Sequence, residues 1–141
     1  MKDAIQKQIW TAFTDGASRG NPGLASCGVF IIAPNGKEHS YKKFLGEFTN
    51  NQAEYQALVL GLTELARHQA QHVIIKADSE LMVHQLNGTY RVKNEKILPL
   101  FAKAIRLSKQ FKTIEFKHIP REQNKEADRL ANQAIDERGK F

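Results

Sequence analysis

The chain has 141 residues and a mass of 16.0 kDa, with 41% hydrophobic and 26% charged residues, which is typical of one globular domain and excludes a disordered chain. No apolar run approaches the ~20 residues of a membrane helix, and the opening MKDAIQKQ has no apolar stretch, so neither a membrane span nor a secretory signal is predicted. The 21 Lys and Arg against 15 Asp and Glu give a net charge of +6, which suits a polyanionic partner such as nucleic acid.

Three strands are predicted in the first third of the chain. Residues 9–14 are rich in β-branched and aromatic side chains, and residues 26–33 form the continuous apolar run of a strand buried on both faces. A Pro-Asn-Gly turn at 34–36 leads to a strand over 41–48, whose polar residues suit a sheet edge. The single cysteine, Cys27, is predicted to be a buried core thiol, and the lack of a disulfide framework favours the cytoplasm.

Helices and strands alternate in the rest of the chain. Apolar spacing and turn residues predict a helix over 50–69, a strand over 72–77, helices over 80–86 and 97–109, a strand over 113–118, and a last helix over 125–138 closed by Gly139. The order β-β-β-α-β-α-α-β-α predicts an α/β fold with one mixed five-stranded sheet. An antiparallel meander and two parallel strands form this sheet, and helices cover its faces.

Four acids occupy positions where a core side chain is expected. Asp15 follows the first strand, Asp78 ends the strand over 72–77, and Glu54 and Asp128 lie at the margins of the apolar stripes of their helices. Singly, each has an ordinary explanation as a turn residue, a helix N-terminal charge or a partner of a nearby Arg. If they converge, either a cation compensates their charges or one acid takes up a proton, and an all-oxygen site selects Mg²⁺ or Mn²⁺.

Four motifs carry a resemblance that covers nearly the whole chain. They are TDGASRGNPG at 14–23, TNNQAEYQAL at 49–58, ADSELMVHQLNG at 77–88 and NKEADRLAN at 124–132. Because the four motifs occur in this order and at these intervals, the sequence resembles ribonuclease H of type 1, in its short, archaeal-like branch. The resemblance implies a ribonuclease H-like fold and a single catalytic domain over 1–141, without a hybrid-binding domain or a basic protrusion.

The resemblance also implies an activity, which is hydrolysis of the RNA strand of an RNA/DNA hybrid to leave 5′-phosphate and 3′-hydroxyl ends. In that family four carboxylates bind two divalent metal ions, and the matching residues are Asp15, Glu54, Asp78 and Asp128. Two ions about 4 Å apart serve the attacking water and the leaving oxygen of a phosphodiester, which explains the need for carboxylate ligands. Asp15 is the residue expected to bridge both ions.

Small polar residues are expected to contact the hybrid. By resemblance, the contacts to RNA 2′-hydroxyls fall on Ser18, Gly20, Asn21, Asn50, Asn51 and Glu80, a DNA-strand phosphate contact on Thr49, and an assisting role on Asn87. A 2′-hydroxyl both donates and accepts hydrogen bonds, so such groups are suitable partners. The structural alternatives are a plain Asn-Pro-Gly turn and a helix cap at Asn50.

The segment before the last helix departs from the family pattern. Many family members carry a histidine there on a flexible loop, whereas His118 here is predicted to end the last strand. The default interpretation is therefore that His118 is an ordinary strand-end histidine. Arg121 or Glu122 is a candidate to occupy the position that the loop histidine has in other family members. Substrate affinity is expected to come from scattered Lys and Arg and to depend strongly on salt.

Two other functions remain open at this stage. One is a nuclease or strand transferase of the same fold that acts on another nucleic acid, such as double-stranded RNA or a DNA junction. The other is a hybrid- or RNA-binding module without catalysis, although four acids suit a polyanion binder poorly. The chain is expected to act as a monomer without an obligate protein partner.

Overall fold

A computed structural model describes residues 8–138 of the chain. The opening heptapeptide and Gly139, the predicted helix stop, lie outside the described residues. The strands are β1 (Ile9–Gly20), β2 (Gly23–Ile32), β3 (Glu38–Phe48), β4 (His72–Ala77) and β5 (Thr113–His118). The helices are α1 (Asn50–Arg67), α2 (Glu80–Leu86), α3 (Leu98–Ser108) and α4 (Lys125–Arg138), and a 3₁₀ turn (Arg121–Gln123) precedes α4. Within the described part, no helix is long and apolar enough to cross a membrane.

The five strands form one mixed sheet in the order β3-β2-β1-β4-β5. The pairs β1–β2 and β2–β3 are antiparallel, and the pairs β1–β4 and β4–β5 are parallel. The predicted meander with two added parallel strands is confirmed, and β3 is an edge strand as its polar residues indicate. The parallel pairing of β1 with β4 stops at Thr14 and Ala77, and ligands of α/β proteins commonly bind at such strand ends.

The glycine-rich run belongs to a strand, so the first strand is longer than its predicted range of 9–14. Strand β1 continues through Gly20, and its antiparallel register with β2 extends from Thr11↔Ile32 to Gly20↔Gly23. Cross-strand pairing overrides the low strand propensity of the glycines, so the turn shrinks to Asn21 and Pro22. For the same reason β2 begins before residue 26 and β3 before residue 41.

Helices cover both faces of the sheet, as consecutive residues of β2 demonstrate. A Cβ on Gly28 would lie 2.3 Å from the Ala127 carbonyl oxygen of α4, whereas the Val29 side chain points toward Gly61 of α1. Because successive strand side chains point to opposite faces, α1 and α4 lie on opposite sides. The main hydrophobic core fills the α1 side, where α1 and α2 pack on the sheet and α3 packs on α1.

Most other predicted elements coincide with those observed. The strands at 72–77 and 113–118 and the helices at 80–86 and 125–138 have the predicted bounds, while α1 ends two residues early and α3 is one residue shorter at each end. Cys27 is fully buried, so the prediction of a buried core thiol is confirmed, and burial raises its pKa to about 12.

Candidate active site

Two of the four predicted acids come directly after the last residues at which β1 and β4 pair with each other. The parallel register ends at Thr14↔Ala77, so the next residues, Asp15 and Asp78, lie together at the carboxyl edge of the sheet. Asp15 still belongs to β1, because that strand continues its pairing with β2, and this corrects its predicted place after the strand. The parallel pairing of two strands distant in sequence thus places two carboxylates at one point.

Glu54 reaches the same point from the first turns of α1. The helix begins at the N-cap Thr49, whose side chain accepts from the Gln52 amide while the Gln52 side chain accepts from the Thr49 amide. A Cβ on Gly16 would lie 2.2 Å from the Ala53 carbonyl carbon and 2.3 Å from the Glu54 nitrogen. Only glycine at residue 16 therefore lets the start of α1 contact β1 and brings Glu54 into the site.

Three carboxylates converge at this edge of the sheet. Asp15, Glu54 and Asp78 each offer one oxygen, and these oxygens all lie within 4.8 Å of one another. Asp128 of α4 lines the same cleft and lies close enough to Asp15 to raise the pKa of that residue. The structure thus brings the four predicted acids around one cleft, with Asp128 at the side of the central three.

The site is electrostatically unfavourable without a positive charge. Burial first, and then the charges of Glu54, Asp78 and Asp128, raise the pKa of Asp15 well above its usual range. Burial and the Asp78 charge raise the pKa of Glu54, while the Gly16 backbone amide opposes that shift. Because the pKa of Asp15 and the pKa of Glu54 are both raised, the metal-free site resists full ionisation.

The donor set fits a hard divalent cation. The Glu54 Oε2 atom is buried and has no hydrogen-bond partner among residues 8–138, although a buried carboxylate oxygen normally has one. Carboxylate oxygens are the ligands that Mg²⁺ and Mn²⁺ prefer, whereas softer ions select nitrogen or sulfur. A cation held by Asp15, Glu54 and Asp78 would satisfy this atom and offset the repulsion.

The predicted RNA-contacting residues divide into those that line the cleft and those that support it. Ser18 and Asn50 line the cleft. The Ser18 hydroxyl donates to the Phe48 carbonyl at 2.9 Å, and the Asn21 side chain accepts from the Asn50 amide at 3.0 Å. The first bond ties β1 to the end of β3, and the second joins the tip of the β1–β2 hairpin, at Gly20 and Asn21, to the start of α1. The alternative in which Asn50 caps α1 is wrong, because Thr49 is the N-cap.

The remaining candidates lie farther out. Asn51 lines a neighbouring pocket that shares Glu54 with the cleft. Glu80 is exposed and lies 3.5 Å from His84, and the Asn87 side chain donates to the Phe116 carbonyl at 3.2 Å, which ties α2 to β5.

The short segment after β5 contributes one cleft residue. His118 is the exposed last residue of β5, as predicted, and Glu122 is exposed in the 3₁₀ turn. Arg121 lines the cleft, whereas His118 and Glu122 are not among its lining residues. Of the three candidates in this segment, Arg121 therefore has the most direct access to a bound ligand.

Sequence reasoning missed three residues at the site. Arg19 and Asn132 line the cleft, and Asn132 donates to the Asp128 carboxylate at 3.3 Å. Asn124 is buried and donates to the Asp78 carboxylate at 3.3 Å. The signal for both asparagines was their spacing of four residues on either side of Asp128, which places them on its face of the helix.

The chain matches a protein-family model described as reverse transcriptase-like over residues 13–134. Among curated proteins it is 34% identical over 148 residues to a ribonuclease H of Acidithiobacillus ferrooxidans, covering 94% of this chain and 91% of that protein. It is 39% identical over 127 residues to a bifunctional protein of Mycobacterium tuberculosis, covering 86% of this chain. The chain spans only 34% of the length of that mycobacterial protein.

Solved structures agree with these similarities. The chain superposes on ribonuclease H1 of Halobacterium salinarum with a TM-score of 0.88 and 35% identity, covering 92% of this chain and 98% of the other. It superposes on LC11 ribonuclease H1 in complex with an RNA/DNA hybrid with a TM-score of 0.86 and 40% identity, covering 91% and 97% of the two chains.

Proposed function

The chain belongs to the type 1 ribonuclease H family, and on that premise we propose that it is a metal-dependent endoribonuclease that hydrolyses the RNA strand of RNA/DNA hybrids. The products would carry 5′-phosphate and 3′-hydroxyl ends. The observation that carries the proposal is that carboxylate oxygens of Asp15, Glu54 and Asp78 lie within 4.8 Å of one another, where the pairing of β1 and β4 ends. The hybrid bound by the LC11 relative supports the choice of substrate.

The four acids are the proposed holders of two Mg²⁺ or Mn²⁺ ions. Bound divalent ions would activate a water molecule and stabilise the leaving oxygen. Asp15 is the proposed shared ligand because its carboxyl group is near those of Glu54, Asp78 and Asp128. The Asn132 amide holds the Asp128 carboxylate, which keeps the fourth ligand directed into the cleft.

The cleft wall supplies the proposed contacts to nucleic acid. Ser18 and Asn50 present small polar groups on the side formed by the hairpin and α1, where 2′-hydroxyls of the RNA strand would be recognised. Thr49 and Asn51 flank this surface, and Arg121 on the opposite rim is suited to a phosphate. Within the described residues, α3 follows α2 through residues 87–97 without an intervening helix, so no helical protrusion is available there.

The cell compartment and assembly state are part of the same proposal. We infer a cytoplasmic protein, since the one cysteine of the chain cannot form an internal disulfide. We also infer a monomer that acts as one catalytic domain, because the candidate ligands all come from one chain.

The decisive assay follows cleavage of a hybrid whose RNA strand is end-labelled. Reactions contain Mg²⁺, Mn²⁺ or EDTA, and parallel reactions contain single-stranded RNA, double-stranded RNA, a DNA duplex or a DNA junction. We expect metal-dependent cutting of the RNA strand of the hybrid and its loss, by at least about 10³-fold, in Asp78→Asn.

A matched pair of variants on α4 controls for charge. Asp128→Asn removes a cleft carboxylate, whereas Glu126→Gln removes an exposed carboxylate that pairs with Arg129 at 3.0 Å. Only the first should reduce cleavage. Hybrid binding without cutting by either metal would instead favour a binding module, and preferred cutting of DNA junctions or double-stranded RNA would favour another nuclease class.

A further inference from the structure

Asn124 is a buried amide at the junction of the three segments that carry Asp15, Asp78 and Asp128. It directly precedes α4, its side chain is 1% exposed, and its carbonyl accepts from the Asp128 amide at 3.1 Å. The residue therefore begins the helix turn that carries Asp128. A buried polar side chain at this point requires an explanation, since asparagine is usually exposed.

The Asn124 amide group links β1 to the residue that follows β4. Its Nδ2 atom donates to the Thr14 carbonyl at 3.0 Å and to Asp78 Oδ2 at 3.3 Å. The β1–β4 register ends at Thr14↔Ala77, so this amide bonds the sheet where the two strands stop pairing. Both partners are acceptors, which fixes the nitrogen toward them and the oxygen away.

The usual reason for an asparagine before a helix does not apply here. An N-cap asparagine accepts a backbone N–H of the first helical turn through its Oδ1 atom. The Asn124 Oδ1 atom is buried and has no hydrogen-bond partner in the described part of the chain. The side chain thus gives up a helix-capping bond while its nitrogen bonds Thr14 and Asp78.

We propose that Asn124 is a positioning residue for the metal site. Its amide orients the Asp78 carboxylate toward Asp15 and Glu54, and its main chain fixes α4 so that Asp128 faces the same cleft. Asn124 donates its hydrogen bond to a ligand carboxylate and does not itself contact the reacting atoms. Removing such an outer partner typically lowers metal affinity or activity 10- to 100-fold.

The test uses serine because serine caps helices well but is too short to reach Asp78. Isothermal titration with Mn²⁺, on protein without nucleic acid, compares wild type with Asn124→Ser and Asn124→Ala. We expect Mn²⁺ affinity to fall about 10-fold or more in both variants, even where the introduced serine restores the helix cap. In cleavage assays, the Mn²⁺ concentration for half-maximal rate should rise while the KM for the hybrid stays within about twofold.

A core variant separates positioning from loss of stability. Phe111→Leu changes a buried side chain beside the start of β5, at the sheet edge opposite the cleft, and should lower stability without changing Mn²⁺ affinity. If neither Asn124 variant folds, nitrogen-15 NMR of wild type provides the test. The Asn124 side-chain amide signal should shift on addition of Mg²⁺, and an unchanged signal would overturn the proposal.

The inference rests on the proposed metal site, and its failure is distinguishable from failure of the proposed activity. Folded Asn124→Ser with wild-type Mn²⁺ affinity would overturn the positioning role even if the wild type cleaves hybrids. Weakened Mn²⁺ binding in that variant would support the role even if the wild type cleaves nothing. A wild type that binds no Mn²⁺ would overturn both.

Discussion

At the scale of single residues, Asp15 and Glu54 show how function and stability compete. Both carboxyl groups are 5% exposed, and each has its pKa raised by burial and by neighbouring acids. A group whose folded-state pKa exceeds its unfolded value stabilises the fold at low pH. That contribution is lost as pH rises through the raised pKa. The metal-free protein is therefore expected to lose stability toward alkaline pH.

Asp15→Asn should stabilise the metal-free protein, because above its unfolded pKa a buried Asp15 must either take up a proton or carry an unfavourable charge, and asparagine requires neither. In EDTA at pH 8 we expect a gain of about 1–2 kcal/mol, or roughly 4–8 °C in melting temperature. The gain should shrink as pH falls toward about 4, where the unfolded carboxyl also takes up its proton. Thermal melts of both proteins at several pH values measure it.

The same melts with Mg²⁺ complete this test. The ion should raise the melting temperature of the wild type more than that of Asp15→Asn, because the variant lacks a candidate ligand. Equal melting temperatures in EDTA at pH 8 would contradict the repulsion inferred for this cluster.

At the scale of elements, close contact between α4 and the sheet determines where Asp128 lies. A Cβ on Gly28 would lie 2.3 Å from the Ala127 carbonyl oxygen and 2.7 Å from the Ala131 nitrogen. The far end of the helix is held by ion pairs, including one of 2.7 Å between Arg19 and Asp136. Gly28 thus sets the distance at which α4 packs on the sheet.

Gly28→Ala should move α4 away from the sheet and weaken the site together with the fold. We expect a loss of about 1–3 kcal/mol in unfolding free energy, as in other overpacked cores, and reduced cleavage because Asp128 is displaced. Urea unfolding and the cleavage rate measure the two effects.

Gly36→Ala is the matched control for this substitution. Gly36 has a φ of +86° in the β2–β3 turn, and nothing lies within 4 Å of its added Cβ. Backbone strain should cost about 1 kcal/mol there without any change in cleavage. A rate in Gly28→Ala that equals the rate in this control would show that α4 does not depend on the close contact.

At the scale of the whole molecule, the net charge of +6 coexists with an acidic cleft. Exposed cations surround the cleft and extend beyond it: Arg19 and Arg121 line the cleft, and Lys93, Lys96, Lys103 and Arg106 lie along and before α3. A polyanion is therefore attracted by the surface as a whole, while the carboxylates need metal ions to accept it. Binding of this kind weakens as salt screens phosphate contacts.

Raising the salt concentration from about 50 to about 200 mM should increase the KM for the hybrid about 10-fold if two phosphates are contacted, and more for each further contact. Arg121→Ala should reduce the slope of log KM against log salt by about one, whereas Lys43→Ala, on exposed β3, should leave it unchanged. Steady-state cleavage over a salt series measures these slopes. A KM that does not depend on salt would contradict an electrostatic contribution to binding.

The local sequence determined most of the secondary structure, the order of the elements and the identity of the candidate acids. Periodic apolar residues specify α1 and α4 because burial of one helix face requires that spacing, and the four motifs carry enough information to identify the family and its candidate acids. Local pattern also gives the order of the elements, from which the sheet topology follows. The four candidate acids, Asp15, Glu54, Asp78 and Asp128, are accordingly predictable from the sequence.

Only the tertiary structure decided the course of β1 and the roles of Gly16 and Asn124. The glycine-rich run favours a turn by propensity, but pairing with β2 outweighs that preference, and the partner strand is not visible in the local pattern. Asn124 looks like an ordinary helix cap until its amide is placed against Thr14 and Asp78, residues 110 and 46 positions away. Hydrogen bonds and close contacts between distant segments depend on the whole fold, so local sequence preferences do not specify them.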